Sequence, residues 1–184
     1  MVEKFDGIII GAGVMGASAA MHLASAGLRR LLVVEKGPGV GSGSTGKSSA
    51  CIRQTYSNLH VTVMAKESLE RFKHWQEFTG LRESKGGFVN CGVLFLFEQE
   101  DPAVAAIQAI HAQAGVDSSL LSHPRKRELF PDVDFSATPL EALGRGDTEA
   151  YEAQALFEHE GGFADPVGTA EDMLAVARSL GAEL

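Results

Sequence analysis

The chain has little cysteine: only Cys51 and Cys91 in 184 residues, far apart and in no Cys-x-x-Cys spacing, which leaves no zinc knuckle and no disulfide framework to build on. It also lacks positive charge. Sixteen basic against 24 acidic residues give a net charge of -8, so nothing draws it generally to nucleic acid or an anionic membrane. The one basic run, Arg125-Lys126-Arg127, reads as a solvated helix face. The six histidines never fall into His-Glu-x-x-His or His-x-His spacing, and Glu158-His159-Glu160 reads as an exposed turn rather than a metal site. No apolar run reaches the ~20 residues of a membrane span. Internal repeats and low-complexity segments are missing too. The stretch Ile8–Ala26 imitates a signal peptide, but Glu3 and Asp6 stand where its positive residues belong. The setting expected from this is reducing and cytoplasmic, with a mitochondrial matrix as the alternative had a transit peptide been removed.

What is present is concentrated near the N-terminus. Ile8-Ile9-Ile10 runs into Gly11-Ala12-Gly13-Val14-Met15-Gly16, an apolar strand entering a Gly-x-Gly-x-x-Gly turn. Gly11 permits the tight turn, Gly13 lets the backbone approach a pyrophosphate, and Gly16 lets the following helix pack on the strand. The helix N-terminus then offers free N–H groups and a favourable dipole to the phosphates. Ala17–Ala26 reads as an alanine-rich helix stopped by Gly27, and Leu31-Leu32-Val33-Val34 as a second strand ending in Glu35. A carboxylate there accepts hydrogen bonds from an adenosine ribose and repels a 2′-phosphate.

Lys36–Ser49 carries five glycines and five hydroxyl side chains. Gly41–Ser48 fits the P-loop expression G-x-x-x-x-G-K-[ST], so a P-loop NTPase is a rival reading, although Gly37-Pro38-Gly39-Val40 is a poor lead-in strand. The preferred reading is a second anion-cradling turn, with Ser44, Thr45, Gly46, Lys47, Ser48 and Ser49 along the same dinucleotide. Arg53 and Tyr56 are expected on a short helix just after it. Other rivals are an NAD-linked dehydrogenase and a non-catalytic nucleotide-binding subunit.

Further on, Val61, Met64, Ala65, Leu69, Phe72 and Trp75 predict the buried stripe of one helix closed by Gly80, with Lys66 among the residues on its wet side. Phe88–Phe97 predicts a strand covered on both faces. Asp101-Pro102 opens a helix running to Ala114 with Gly115 after it, and a shorter helix spans Pro124–Phe130. Short antiparallel strands and loops are expected between Asp132 and Gly162. Asp165-Pro166 opens a last helix, ended by Gly181, and Ala182-Glu183-Leu184 begins a strand expected to lie parallel beside the first one.

These segments resemble the D-amino-acid oxidase and sarcosine oxidase superfamily of FAD-dependent amine oxidoreductases, its sarcosine and dimethylglycine branch in particular. The resemblance rests on Gly11–Gly16 with Glu35-Lys36, on Gly43–Tyr56, and on Gly162-Phe163-Ala164-Asp165-Pro166. It implies an α/β fold: a Rossmann-like FAD-binding βαβ unit with part of a second, α+β substrate domain, the chain being an N-terminal piece. Residues 1–85 are expected to form the FAD-binding segment, 86–163 part of the substrate domain, and 164–184 a return helix. By the same resemblance, Gly11, Gly13, Val14, Met15, Gly16, Glu35 and Lys36 hold the ADP half of FAD, and Ser44–Ser49 lie along the pyrophosphate and flavin side. Arg53 is then the one catalytic candidate, near the flavin or a substrate carboxylate, with Tyr56 a weaker one; further catalytic residues are expected beyond Leu184. Lys47 stands where some relatives attach flavin through a His, which argues against that linkage. The implied reaction oxidises the C–N bond of a sarcosine, dimethylglycine or glycine type substrate, with oxygen or an electron carrier as acceptor. The assembly state, homo-oligomer included, is left open.

Overall fold

The computed structural model describes residues 4–137 and 151–184. In chain order the elements are β1 (Gly7–Ile10), α1 (Val14–Ser25), β2 (Leu31–Val34), β3 (Cys51–Ile52), α2 (Leu59–Lys73), α3 (Trp75–Thr79), β4 (Val89–Asn90), β5 (Val93–Phe97), α4 (Pro102–Ala114), β6 (Ser118–Leu120), α5 (His123–Leu129), β7 (Ser136–Ala137), β8 (Tyr151–Glu152), β9 (Gln154–Glu158), β10 (Gly162–Phe163) and α6 (Pro166–Ser179). The described residues up to Ile52, with Glu70–Val89 and Phe163–Leu184, form a first unit; Arg53–Leu69 and the described residues from Asn90 to Gly162 form a second.

In the first unit β1 and β2 pair in parallel, Ile8 opposite Leu32 and Ile10 opposite Val34. Side chains alternate across a strand, so Leu31 and Val33 turn inward to a core made largely of alanine: Ala17, Ala20 and Ala24 of α1 against Ala170 and Ala177 of α6. Small side chains let two helices and a sheet approach closely. The opposite sheet face leaves Ile8 and Ile10 exposed. Gly27, at φ 104°, ends α1 as its sequence implies. Asp165 caps α6 by accepting from the Gly168 N–H at 2.6 Å. After Gly181, at φ 108°, Glu183 pairs in parallel with Leu32. The new strand therefore lies beside β2, not beside β1 as expected. The Leu31 carbonyl and the Val33 N–H on the edge of β2 take up the Glu183 backbone.

The long helix departs from its reading. His74, at φ −113° and ψ 40°, interrupts it, so α2 and α3 are separate helices, with Gly80 closing α3 at φ 69°. Trp75 is buried in the first unit, stacked on Phe72 at 5.0 Å. Within α2 the buried residues are Thr62 and Leu69, while Val61 and Met64 are exposed. The stripe read in the sequence thus holds from Ala65 onward, with Leu69 buried and Ala65 and Phe72 half-buried, and fails before it, where Thr62 is inside in place of Val61. Lys66, expected in solvent, donates to the carbonyls of Ala114 and Gly115 at the C-terminus of α4, where a cation opposes the helix dipole.

The second unit is built on β9, antiparallel to both β5 and β6, with Phe95 opposite Leu156 and Ser118 opposite Glu158. The apolar run from Phe88 is not one strand: Gly92, at φ 74°, separates β4 from β5, and a Cβ there would meet the Phe157 ring at 2.2 Å. Nor is β5 covered on both faces, since Leu96 is half exposed. α4 runs as read, with the Asp101 side chain accepting from the Ala103 N–H at 2.8 Å and Gly115 left-handed after it. Phe135, Leu121 and Ala155 form this unit's core, with Phe130 and Phe157 against them. The basic run differs from its reading at one residue, since Arg125 and Arg127 are exposed as read. Lys126 is buried over the Phe135 ring, donating to the Ala153 carbonyl at 2.8 Å and pairing with Glu152. Between Asp132 and Gly162 the structure holds β7, β8, β9 and the start of β10; residues 138–150 of that stretch lie outside the described ones.

Candidate dinucleotide site

The glycine turn owes its shape to two distinct constraints. Gly11 sits at φ 103°, a conformation that excludes most side chains. A Cβ on Gly16 would lie 1.9 Å from the Gly11 carbonyl oxygen, so only glycine lets α1 start this close to β1. At Gly13, the N-cap, a Cβ would meet only the Thr45 hydroxyl, at 3.0 Å, and no side chain caps the helix from that position. The first helical bond is Ala17 N–H to the Gly13 carbonyl. The Met15 and Gly16 N–H groups therefore have no acceptor within the helix and face outward from its positive end.

Glu35 closes the other side. One carboxylate oxygen accepts from the Ala12 N–H at 2.8 Å and the other from the Gly37 N–H at 2.7 Å. The Ala12 bond above all, then Gly37, holds its carboxyl below the ordinary 4.5, against a smaller opposing effect of burial. At neutral pH it is a charged acceptor fixed on the turn itself. Thr45 joins from the second segment: its hydroxyl accepts from the Val14 N–H at 3.0 Å. One cleft, lined by Val14, Thr45, Ser48, Ile52 and Phe72, opens beside the start of α1. Another runs along Leu32, Val34, Glu35, Gly37 and Leu184.

The structure thus gathers Gly11, Gly13, Val14, Gly16, Glu35, Thr45 and Ser48 about one turn. Met15, Lys36, Ser44, Gly46, Lys47 and Ser49 are exposed nearby in the chain. The Gly41–Ser48 segment is not a P-loop. Its N–H groups at Gly46, Lys47 and Ser48 are spent on the carbonyls of Gly41, Ser44 and Thr45, whereas a phosphate cradle needs them free. No strand leads into Gly41 either. Arg53 belongs to the second unit and lies on a segment outside any helix or strand, because the Gln54 and Thr55 N–H groups bond to a side chain instead of to helical carbonyls.

That side chain is Glu158, which is fully buried and so not part of an exposed turn. The sequence does carry one hint of it: Glu158 is two residues from Leu156 and shares its face of β9. Among the described residues no group of His, Cys, Asp and Glu could hold a metal ion, and no helix is long and apolar enough to cross a membrane.

The pattern that defines the FAD dependent oxidoreductase family, DAO, matches residues 6–184. The chain belongs to this family. Among curated relatives it is 28% identical to the peroxisomal sarcosine oxidase of Mus musculus over 84% of this chain and 38% of that one. It is 29% identical to the sarcosine oxidase subunit beta of Rhizobium meliloti (strain 1021) over 82% of this chain and 37% of that one. The chain therefore spans under two fifths of the length of these two relatives. Among solved structures, an L-proline dehydrogenase from P. horikoshii superposes with a TM-score of 0.78 at 25% identity, covering 100% of this chain and 44% of that one. A glycine oxidase from Geobacillus kaustophilus shares the fold at a TM-score of 0.76 and 21% identity, over 98% of this chain and 46% of that one.

The residues of the turn fit the family's cofactor. A turn without Cβ atoms at Gly11, Gly13 and Gly16, two outward N–H donors and a fixed charged acceptor at the tip of β2 match the diphosphate and ribose of an adenine dinucleotide.

Proposed function

We propose that this chain supplies the ADP-binding part of an FAD-dependent oxidoreductase that oxidises the C–N bond of a small amine or N-methyl amino acid to an imine. The observation that carries the reading is the Glu35 carboxylate anchored to the Ala12 N–H at 2.8 Å, which sets a sugar-hydroxyl acceptor against the glycine turn. In this reading Gly11, Gly13, Val14, Met15 and Gly16 present backbone to the diphosphate. Glu35 takes the ribose hydroxyls, with Lys36 beside it, and Ser44, Thr45, Gly46, Lys47, Ser48 and Ser49 border the flavin side. FAD supplies the acceptor for the hydride equivalent leaving the amine carbon. Arg53 holds the substrate carboxylate and is the catalytic residue of this piece. Residues 1–85 and 164–184 frame the cofactor and 86–163 belong to the substrate domain. The sarcosine oxidases among the relatives favour a sarcosine-type substrate, with oxygen or an electron carrier accepting the electrons.

The full-length protein is expected to purify yellow and to turn over sarcosine or dimethylglycine with an artificial acceptor. Gly13→Val is expected to remove the flavin while sparing the fold, because the added Cβ meets only the Thr45 side chain and the branched side chain takes the space proposed for the diphosphate. A colourless wild-type protein, or full flavin content in Gly13→Val, refutes the proposal.

A further inference from the structure

Glu158 makes an expensive arrangement. Its side chain is fully buried at the end of β9, and no lysine or arginine among the described residues pairs with it. Four donors face it instead. One oxygen accepts from the Gln54 N–H at 2.7 Å and the Gln54 side-chain amide at 3.3 Å. The other accepts from the Thr55 N–H at 3.0 Å and the Thr55 hydroxyl at 2.8 Å. A packed apolar side chain commonly stabilises as well as a buried charge does, so stability alone does not account for this choice. The clamp even leaves a buried acceptor, the Gln54 side-chain oxygen, without a partner.

What the clamp fixes is the backbone between Arg53 and Tyr56. Arg53 is exposed, and its guanidinium lies 4.8 Å from the centre of the Tyr56 ring and 5.6 Å from that of Phe95. No carboxylate among the described residues pairs with it. Phe95 sits on β5 opposite Leu156 of β9, the strand that also carries Glu158. The same strand therefore sets both the peptide that bears Arg53 and one ring of the aromatic shelf under its charge.

We propose that Glu158 is a positioning residue: it aims Arg53 by gripping the two peptide N–H groups that follow it. The inference rests on Arg53 engaging the carboxylate of the substrate. The geometry demands a carboxylate at 158. Each of its oxygens meets one backbone N–H, which cannot rotate, so the amide of a glutamine would set its NH2 against one of them whichever way it turned. Aspartate keeps both acceptors but is one methylene short.

The test uses the full-length flavoprotein with Glu158→Gln, Glu158→Asp, Arg53→Ala and the Glu158→Gln/Arg53→Ala pair, assayed on an amine with a carboxylate and on one without. Glu158→Gln is expected to raise KM for the carboxylated amine roughly tenfold, the effect of one misplaced charged hydrogen bond. Flavin content and the KM of the uncharged amine stay as in wild type, the aspartate variant recovers part of the loss, and no further loss appears on top of Arg53→Ala. Should Glu158→Gln fail to fold, Thr55→Val removes a single donor and is expected to give a smaller rise that likewise vanishes with Arg53→Ala. Losses that add to Arg53→Ala, an equal effect on the uncharged amine, or released flavin overturn the inference while leaving the proposed function standing. A wild-type protein without flavin or turnover refutes the function first.

Discussion

The two units hold their key segments by different means. In the first, the glycine turn is fixed through partners close in sequence: Ala12 and Glu35 are 23 residues apart, and Val14 and Thr45 are 31 apart. In the second, the irregular Arg53–Tyr56 segment is fixed by a residue 104 positions from Gln54. Their cores differ as well. Alanines set the spacing between α1 and α6, whereas Phe135, Phe130 and Phe157 fill the second unit. Small side chains bring backbone to backbone and leave main-chain groups to bind. Large ones support a shelf on which side chains are presented.

The aromatic residues make the comparison measurable, because the single Trp, Trp75, belongs to the first unit and both tyrosines, Tyr56 and Tyr151, to the second. Phe135→Ala is expected to have the largest effect, about 3–5 kcal/mol for a fully buried ring. Thermal unfolding should show the tyrosine transition moving down while the tryptophan transition stays; joint movement would merge the units into one cooperative block. Gly16→Ala comes next and acts on the other signal. Its Cβ would sit 1.9 Å from a backbone oxygen, so the cost is expected at the upper end of the ~1–3 kcal/mol of overpacking, with tryptophan unfolding early. An unshifted tryptophan transition would mean that α1 starts further from β1 than described. Glu35→Ala is milder: it lowers the tryptophan transition slightly, through the lost bonds to the Ala12 and Gly37 N–H groups, and lowers flavin content in the purified full-length protein; unchanged content would break the link between β2 and the ribose.

Acid should separate the units by the smallest margin. Burial holds the His111 imidazole below its ordinary 6.5, against the opposing pull of Glu158. The unfolded chain binds a proton near 6.5 that the folded one refuses, so the second unit is at full stability above 6.5 and loses it as pH falls toward the depressed value. Glu35 acts with the same sign in a lower range: its contribution is full above 4.5 and is lost only as pH drops through its lowered folded value. Tyrosine signals are therefore expected to soften at higher pH than the tryptophan signal in an acid titration, and the reverse order would contradict these assignments.

Much of the first unit was legible because its determinants are local. Ile8–Ile10 running into Gly11–Gly16, and Leu31–Val34 ending in Glu35, announce strand, turn, helix and strand through period and glycine placement alone. The same holds for Asp101-Pro102 and Asp165-Pro166, whose caps bond to N–H groups two and three residues ahead. The α2 stripe misled at Val61 and Met64 because amphipathic periodicity fixes a helix but not which neighbours each turn meets; Lys66 found carbonyls at the end of α4 that no window around it contains. Glu158 and Lys126 misled for the same reason, as charge suggests solvent until a distant donor or acceptor is brought to it.

The sequence by itself settled the βαβ turn with its acid at the tip of β2, since bonds closed over a few tens of residues follow from spacing and backbone sterics. Folding in three dimensions decided that Glu183 joins β2, that Lys126 is buried, and that Glu158 grips the Arg53 segment. Those outcomes depend on which groups a desolvated polar atom meets across the fold, and no stretch of chain carries that information alone.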